Sequence, residues 1–98
     1  MLAIFATFPI GKGESVSSDV ARVIKLIKES GISYQLTPMA TIIEGEWDEV
    51  MDVIKRCHYI LKENSARVYT TIAIDDRKGH DQMMKTKIES LKEKLGEL

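Results

Sequence analysis

The order and spacing of the apolar segments predict an α+β fold, a ferredoxin-like sandwich with the elements in the order βαββαβ and a further C-terminal helix. In the short segments apolar residues alternate with polar ones or follow one another without interruption, as they do in strands. In the longer segments apolar residues recur at helical spacing. Right-handed crossovers let the two βαβ-like halves interleave as one antiparallel four-stranded sheet of order 4-1-3-2. The 98 residues suffice for one core, so we expect a single domain over 1–98.

The first three elements follow from local signals. Residues 2–8 are rich in β-forming side chains and are closed by Pro9, which predicts a strand. From Ser17 the apolar period becomes 3.6, and Gly31 suits the left-handed conformation that ends a helix. Residues 32–36 then predict the second strand.

The second half repeats this order. Residues 40–44 predict a third strand, joined to the second by a turn at Pro38. After Gly45 the apolar period is helical again until Asn64, and residues 67–75 alternate as a fourth strand. These segments complete the predicted sandwich, with both helices on one face of the sheet.

The sheet face away from the helices is expected to be apolar too, with Phe5, Tyr69 and Ala73 among its candidates. A solvated face would alternate with polar residues, and the fourth strand, largely uncharged through Ile74, would be an unprotected edge. Both features predict a homo-oligomer. Alternatively, the C-terminal helix folds over this face; Asp81 would cap it, and its apolar stripe is Met84, Ile88, Leu91 and Leu95.

Composition excludes several classes of protein. A net charge of −1 argues against nucleic-acid binding, which requires a basic excess. The longest apolar run, residues 2–8, is too short to span a membrane and lacks the flanks of a signal peptide. Cys57 is the single cysteine, so no intrachain disulfide can form and we expect a cytoplasmic protein.

The residues that could carry chemistry form no catalytic or metal-binding set. Cys57 and His58 are adjacent on a helix, so their side chains diverge and are expected to be a packed thiol and a satisfied imidazole. His80 stands alone, and residues 11–13 lack the other glycines and the Lys-Ser/Thr of a phosphate loop. We therefore predict no enzyme, no metal site and no cofactor.

The hairpin that includes Thr41 and Glu44 is the most informative stretch, because polar groups on a buried strand must find partners. In a structural interpretation Thr41 pairs across the sheet, Glu44 meets a basic residue such as Arg77, and Glu46 caps the second helix. In a functional interpretation a carboxylate and hydroxyls orient a polar heterocycle in a small pocket. Its apolar walls would come from Phe5, Tyr34, Tyr69 or Trp47.

The most distinctive motif of the sequence is Met39-x-Thr41-x-Ile43-Glu44-Gly45. It is accompanied by Phe8-Pro-Ile-Gly11, Ser15-Val-Ser17, the continuation into Trp47-Asp-Glu-Val, and Ile74-Asp-Asp-Arg77. In these segments the chain resembles the small thiamine-binding protein family of bacteria, archaea and yeast.

The resemblance implies a ferredoxin-like fold, dimers that assemble into tetramers, and binding of thiamine or its hydroxymethylpyrimidine part rather than catalysis. It points to Thr41, Glu44, Ser17 and the turn Pro9-Ile10-Gly11 as ligand-binding residues, to which we add Tyr69 as an aromatic that could stack on the ligand. Ala40 stands where relatives commonly have glycine, which could narrow the space near Thr41.

We therefore expect a non-enzymatic, oligomeric small-molecule binder that acts as a carrier, buffer or sensor. An alternative is a regulatory or assembly module whose oligomer is its function and which has no physiological small ligand. A third possibility, a cofactor-independent oxygenase of the same fold, needs an acid or histidine in an enclosed cavity, and His58 is a poor candidate for that role.

Overall fold

The computed structural model of the chain describes residues 1–11, 17–79 and 83–96. Its strands form one four-stranded antiparallel sheet in the order β2-β3-β1-β4, which is the predicted order 4-1-3-2 read from the other edge. The predicted α+β ferredoxin-like class is confirmed. The elements are β1 (Leu2–Pro9), α1 (Ser17–Ser30), β2 (Ser33–Leu36), β3 (Thr41–Glu44), α2 (Trp47–Lys62), β4 (Val68–Asp75) and α3 (Met83–Leu95).

The core lies between the sheet and the α1–α2 layer. Apolar side chains at helical spacing face the sheet, and fully buried ones include Ile27 of α1, Leu61 of α2 and Ile43 of β3. Gly31 follows α1 with φ +77°, the left-handed conformation predicted there. The core consists of Ala3, Phe5, Val23, Ile27, Ile32, Ile43, Val50, Val53, Ile54, Cys57 and Leu61.

The prediction that Phe5 lies on the sheet face away from the helices is wrong. Phe5 is buried among the core residues that the helices cover, rather than on the opposite face. Residues 2–8 are apolar almost throughout, so alternation could not decide which side chains of β1 point toward the helices. We name the other side the open face; it is formed by Leu2, Ile4, Ala6 and Phe8 of β1 and their cross-strand partners.

The two neighbours of β1 pair with it over different lengths. Pairing with β3 ends at Phe5↔Thr41, whereas pairing with β4 continues to Pro9↔Val68. Within the described residues, the last four residues of β1 therefore have a strand beside them on one side. A gap opens on the other side, next to the β2–β3 hairpin, and this gap positions the candidate site.

Helix α3 begins at the end of the open face. The Met84 backbone N–H donates a hydrogen bond to the Glu44 carboxylate at 3.4 Å, and Lys87 pairs with Asp75. The stripe beyond this point stays exposed, since Leu91 and Leu95 are 46% and 63% accessible. The predicted Asp81 cap, Gly13, Ser15 and His80 lie outside the described residues.

Candidate functional site

The gap beside β1 is a cavity of about 300 Å³ between β1, α1 and the β2–β3 hairpin. It exists because β3 stops at Thr41 while β1 continues, so the hairpin turn and the first turns of α1 close the space. Its walls are largely apolar. The described lining residues are Phe5, Ala6, Thr7, Phe8, Val20, Val23, Ile24, Leu36, Thr37, Pro38, Met39, Ala40 and Thr41.

Three threonines supply the side-chain polar groups of this described lining, and they differ in what they already bind. The Thr37 hydroxyl donates to the Ala40 carbonyl at 2.7 Å and accepts from the Ala40 N–H at 3.0 Å, which holds the hairpin turn. The Thr7 hydroxyl lies 2.7 Å from that of Thr70. The half-buried Thr41 hydroxyl makes no hydrogen bond to any residue that the structure describes, so it is available to a ligand.

Thr41 and Glu44, both predicted site residues, are not brought together. Thr41 pairs with buried Phe5 and lines the cavity, whereas Glu44 pairs with Leu2 on the open face. There the Glu44 carboxylate accepts the Met84 N–H. Glu46 occupies the N-cap position of α2, as one interpretation of the hairpin predicted, but makes no side-chain cap hydrogen bond.

The remaining predicted site residues lie around the cavity rather than in its described wall. Pro9 is buried at the end of β1, and the Ile10 N–H donates to the Arg67 carbonyl at 2.9 Å. Gly11 follows with φ +86°. Ser17 begins α1 one turn before the cavity residue Val20.

Of the four predicted aromatic walls, one contributes to the cavity. Phe5 lines it. Tyr69 packs against Phe8 on the open face, with ring centroids 5.6 Å apart. Trp47 is 53% exposed at the start of α2, and Tyr34 packs against the core from β2.

Sequence reasoning missed Thr7 and the cavity role of α1. The apolar stripe of α1 was visible in its spacing, but that spacing does not show that its first turns, with Val20 and Ile24, line a cavity. Nothing local distinguishes Thr7 from other strand threonines. It became identifiable through the register of β1, because pairing with β4 continues past the end of β3.

Cys57 and His58 occupy the packed positions expected of them. Cys57 is fully buried, and this burial raises the pKa of its thiol to about 12, a rise that the nearby positive charge of Arg56 opposes. His58 is partly buried and its Nδ1 lies 2.7 Å from the Thr70 hydroxyl. The described residues contain no group of three potential metal-ligating side chains, and none of the helices described has the length and apolar character needed to cross a bilayer.

Together these features define a ferredoxin-like α+β domain with a largely apolar cavity of small-ligand size. The sequence model of the family described as "Thiamine-binding protein" matches residues 3–92. The chain belongs to this family.

Several relatives match over nearly their whole length. A UPF0045 protein of Methanothermobacter thermautotrophicus is 38% identical over 95% of this chain and 97% of its own, and the UPF0045 protein YqgV of Bacillus subtilis is 40% identical over 96% of each. The solved structure of the hypothetical protein MJ1052 from Methanocaldococcus jannaschii superposes with a TM-score of 0.84 at 30% identity, covering 99% of this chain and 96% of that one. A candidate thiamine biosynthesis or salvage protein of Thermotoga maritima shares the fold, with a TM-score of 0.79 at 23% identity over 92% of this chain and 97% of that one.

Proposed function

We propose that the protein binds the hydroxymethylpyrimidine part of thiamine in the cavity beside β1. One observation carries this proposal: the half-buried Thr41 hydroxyl faces a largely apolar cavity without a partner among the described residues. A flat aminopyrimidine fits such a site, since apolar walls hold the ring and a hydroxyl can bond a ring nitrogen or the amine. Membership of the thiamine-binding family supports the same ligand class.

The charge of the described cavity wall favours the pyrimidine over complete thiamine. The described lining residues include no carboxylate, so a thiazolium cation buried there would meet no counter-charge among them, which is costly in an apolar site. Glu44, the carboxylate predicted to bind the ligand, lies on the open face. A volume of about 300 Å³ is at the low end of the range of about 300–1,000 Å³ for ligand pockets, and suits a small ligand.

The proposed role is that of a carrier, buffer or sensor that binds without turnover. The described cavity wall offers hydroxyls and apolar groups, whereas general acid–base catalysis needs a titratable group within hydrogen-bond reach of the substrate. The name of the family, which refers to binding, agrees with this role.

The proposed binder is a homo-oligomer, a dimer of dimers as the family resemblance implies. Ile4 and Phe8 of the open face are about two-fifths exposed, and the α3 stripe is exposed as well. The edge strand β4, which is uncharged up to Asp75, adds unpaired backbone groups. A second copy would cover these apolar surfaces together, and the same observation favours the alternative function, an assembly module whose oligomer is its activity.

Calorimetric titration of the purified protein with hydroxymethylpyrimidine, and separately with thiamine, tests the proposal. Saturable heat with hydroxymethylpyrimidine at one site per chain, and weaker binding of thiamine, is the expected result. Tighter binding of thiamine would show that the cation finds a counter-charge and would move the site toward Glu44. The absence of heat with both compounds, in protein shown to be folded by circular dichroism, would favour the assembly module.

A further inference from the structure

Three side chains form a continuous hydrogen-bonded chain from α2 to the wall of the cavity. His58 Nδ1 lies 2.7 Å from Thr70 Oγ1, and this oxygen lies 2.7 Å from Thr7 Oγ1. Thr70 and Thr7 are direct partners across β4 and β1. Thr7 lines the cavity, whereas His58 and Thr70 line a separate cleft of about 290 Å³ between α2 and β4. The hydrogen-bonded chain therefore joins the cleft between α2 and β4 to the wall of the cavity.

The protonation of His58 controls the direction of these hydrogen bonds, because a threonine hydroxyl has one hydrogen to donate. When Nδ1 carries no proton, Thr70 must donate to it, and Thr7 must then donate to Thr70. The Thr7 oxygen can in that state only accept a hydrogen bond from a ligand. When Nδ1 is protonated it donates to Thr70, which can then donate to Thr7 and release the Thr7 hydrogen toward the cavity.

The surroundings of His58 define which other groups could interfere. Lys55 lines the same cleft, and the Lys62 ammonium, one turn later on α2, lies over the Tyr59 ring at 5.4 Å. From β4 the Thr70 hydroxyl contacts His58, and on α2 the Tyr59 ring lies edge-on to the imidazole with centroids 5.4 Å apart. Histidine changes its charge within the physiological pH range, which lysine does not.

We infer that His58 is a positioning residue that sets, through Thr70, whether Thr7 accepts or donates a hydrogen bond in the cavity. This inference rests on the proposed function for the identity of the ligand. The hydrogen bonds that join His58, Thr70 and Thr7 do not depend on that identity. An exocyclic amine, which donates, is matched when Nδ1 is unprotonated. A ring nitrogen without a hydrogen, which accepts, is matched when Nδ1 is protonated, as it is in the charged ring; the direction then changes with charge because the neutral ring in this inference carries its proton on Nε2. The cavity thereby gains a preference among heteroaromatic ligands that depends on pH.

Nuclear magnetic resonance of the free protein tests the hydrogen-bonded chain from His58 to Thr7 without any ligand. With threonine methyl groups labelled, and the Thr7 signal assigned by its loss in Thr7→Ser, we expect that signal to shift with pH at the midpoint of the His58 ring titration. Thr70→Val should abolish this shift, and Thr70→Ser, which keeps the hydroxyl, should retain it. Thr71→Val, the same substitution at the next residue on the opposite face, is the matched control. A Thr7 signal that does not follow His58, or that still follows it in Thr70→Val, would overturn the inference.

Binding of hydroxymethylpyrimidine at about pH 5.5 and about pH 8 supplies the second measurement. The ratio of the two affinities should differ about fivefold between the unmodified protein and Thr70→Val, the factor expected for one net hydrogen bond. Comparing the two proteins cancels the titration of the ligand itself. Equal ratios in a protein that binds would contradict the role of His58. If neither protein binds, the proposed ligand is wrong. The resonance experiment still decides whether the hydrogen-bonded chain from His58 to Thr7 exists.

Discussion

Thr41 and Glu44 lie on opposite faces of β3, because Thr41 pairs with buried Phe5 and Glu44 pairs with Leu2 on the open face. A small ligand inside one subunit can therefore contact the Thr41 hydroxyl without reaching the Glu44 carboxylate. Binding measurements on variants of these two residues consequently locate the ligand.

For a ligand in the cavity, Thr41→Val should weaken hydroxymethylpyrimidine binding by about 1 kcal/mol, the net value of a lost hydrogen bond. Glu44→Gln should leave the affinity unchanged, since its partner is the Met84 backbone. Calorimetry on both variants makes the comparison. The reverse pattern, with Glu44→Gln weakened and Thr41→Val unaffected, would place the ligand on the open face.

The buried Cys57 thiol should make the protein less stable at high pH. Burial raises its pKa from an ordinary 9.0 to about 12, so the unfolded chain loses this proton first. The protonated thiol contributes fully to the free energy of unfolding below pH 9.0, and this contribution is lost as the pH rises toward 12. The free energy of unfolding should fall by at most about 1.4 kcal/mol per pH unit in this range. Urea unfolding between these limits measures it.

The control for this prediction is Cys57→Ala, which removes the titrating thiol. It should lower the free energy of unfolding by about 1 kcal/mol at neutral pH through lost packing, and its stability should fall less steeply above pH 9.0. Equal slopes in the two proteins would contradict the assignment. Native Cys57 should also resist alkylation until the protein is unfolded.

The Lys87–Asp75 pair should fasten the start of α3 to the sheet in a pH-dependent way. The hydrogen bond from Lys87, together with its charge, holds the pKa of the Asp75 carboxyl below the ordinary value of 3.8. The stabilisation that the Lys87–Asp75 pair provides is present at pH values above that ordinary pKa, and it is lost as the pH falls through the lowered pKa.

Lys87→Gln should therefore raise the Asp75 pKa toward its ordinary value and speed amide exchange in the first turn of α3. Carboxyl resonance titration and hydrogen exchange measure the two effects. Lys92→Gln, a lysine in the last turn of the same helix, is the control and should change neither. An unchanged Asp75 titration in Lys87→Gln would show that the pair does not form in solution.

The exposed α3 stripe should carry part of an interface between copies of the chain. Light scattering at micromolar concentration is expected to report a dimer or tetramer, and Leu91→Asp should shift it to smaller species without loss of helical circular dichroism. Tyr59→Asp replaces a residue of comparable exposure on the outer side of α2 and should leave the mass unchanged. A monomer in the unmodified protein would refute the oligomer.

The sequence determined the elements and their order. The elements follow from local signals, which are the strand and helix periods, Pro9 at the end of β1 and Gly31 after α1. Short connections and right-handed crossovers then leave few ways to arrange the strands and helices. Element ends differ from those predicted by a residue or two, for instance at Pro9, which still pairs with Val68. Helix and strand ends depend on final contacts that a local pattern does not contain.

The tertiary structure decided which side of β1 faces the helices and where a ligand could be enclosed. An apolar run can satisfy either phase of a strand, so packing against the helices, and not alternation, buried Phe5. The cavity exists because β3 pairs with β1 over a shorter length than β4 does. That same register brings Thr7, Thr70 and His58 within hydrogen-bond distance, and such a meeting of residues far apart in the chain is fixed only when the strands pair.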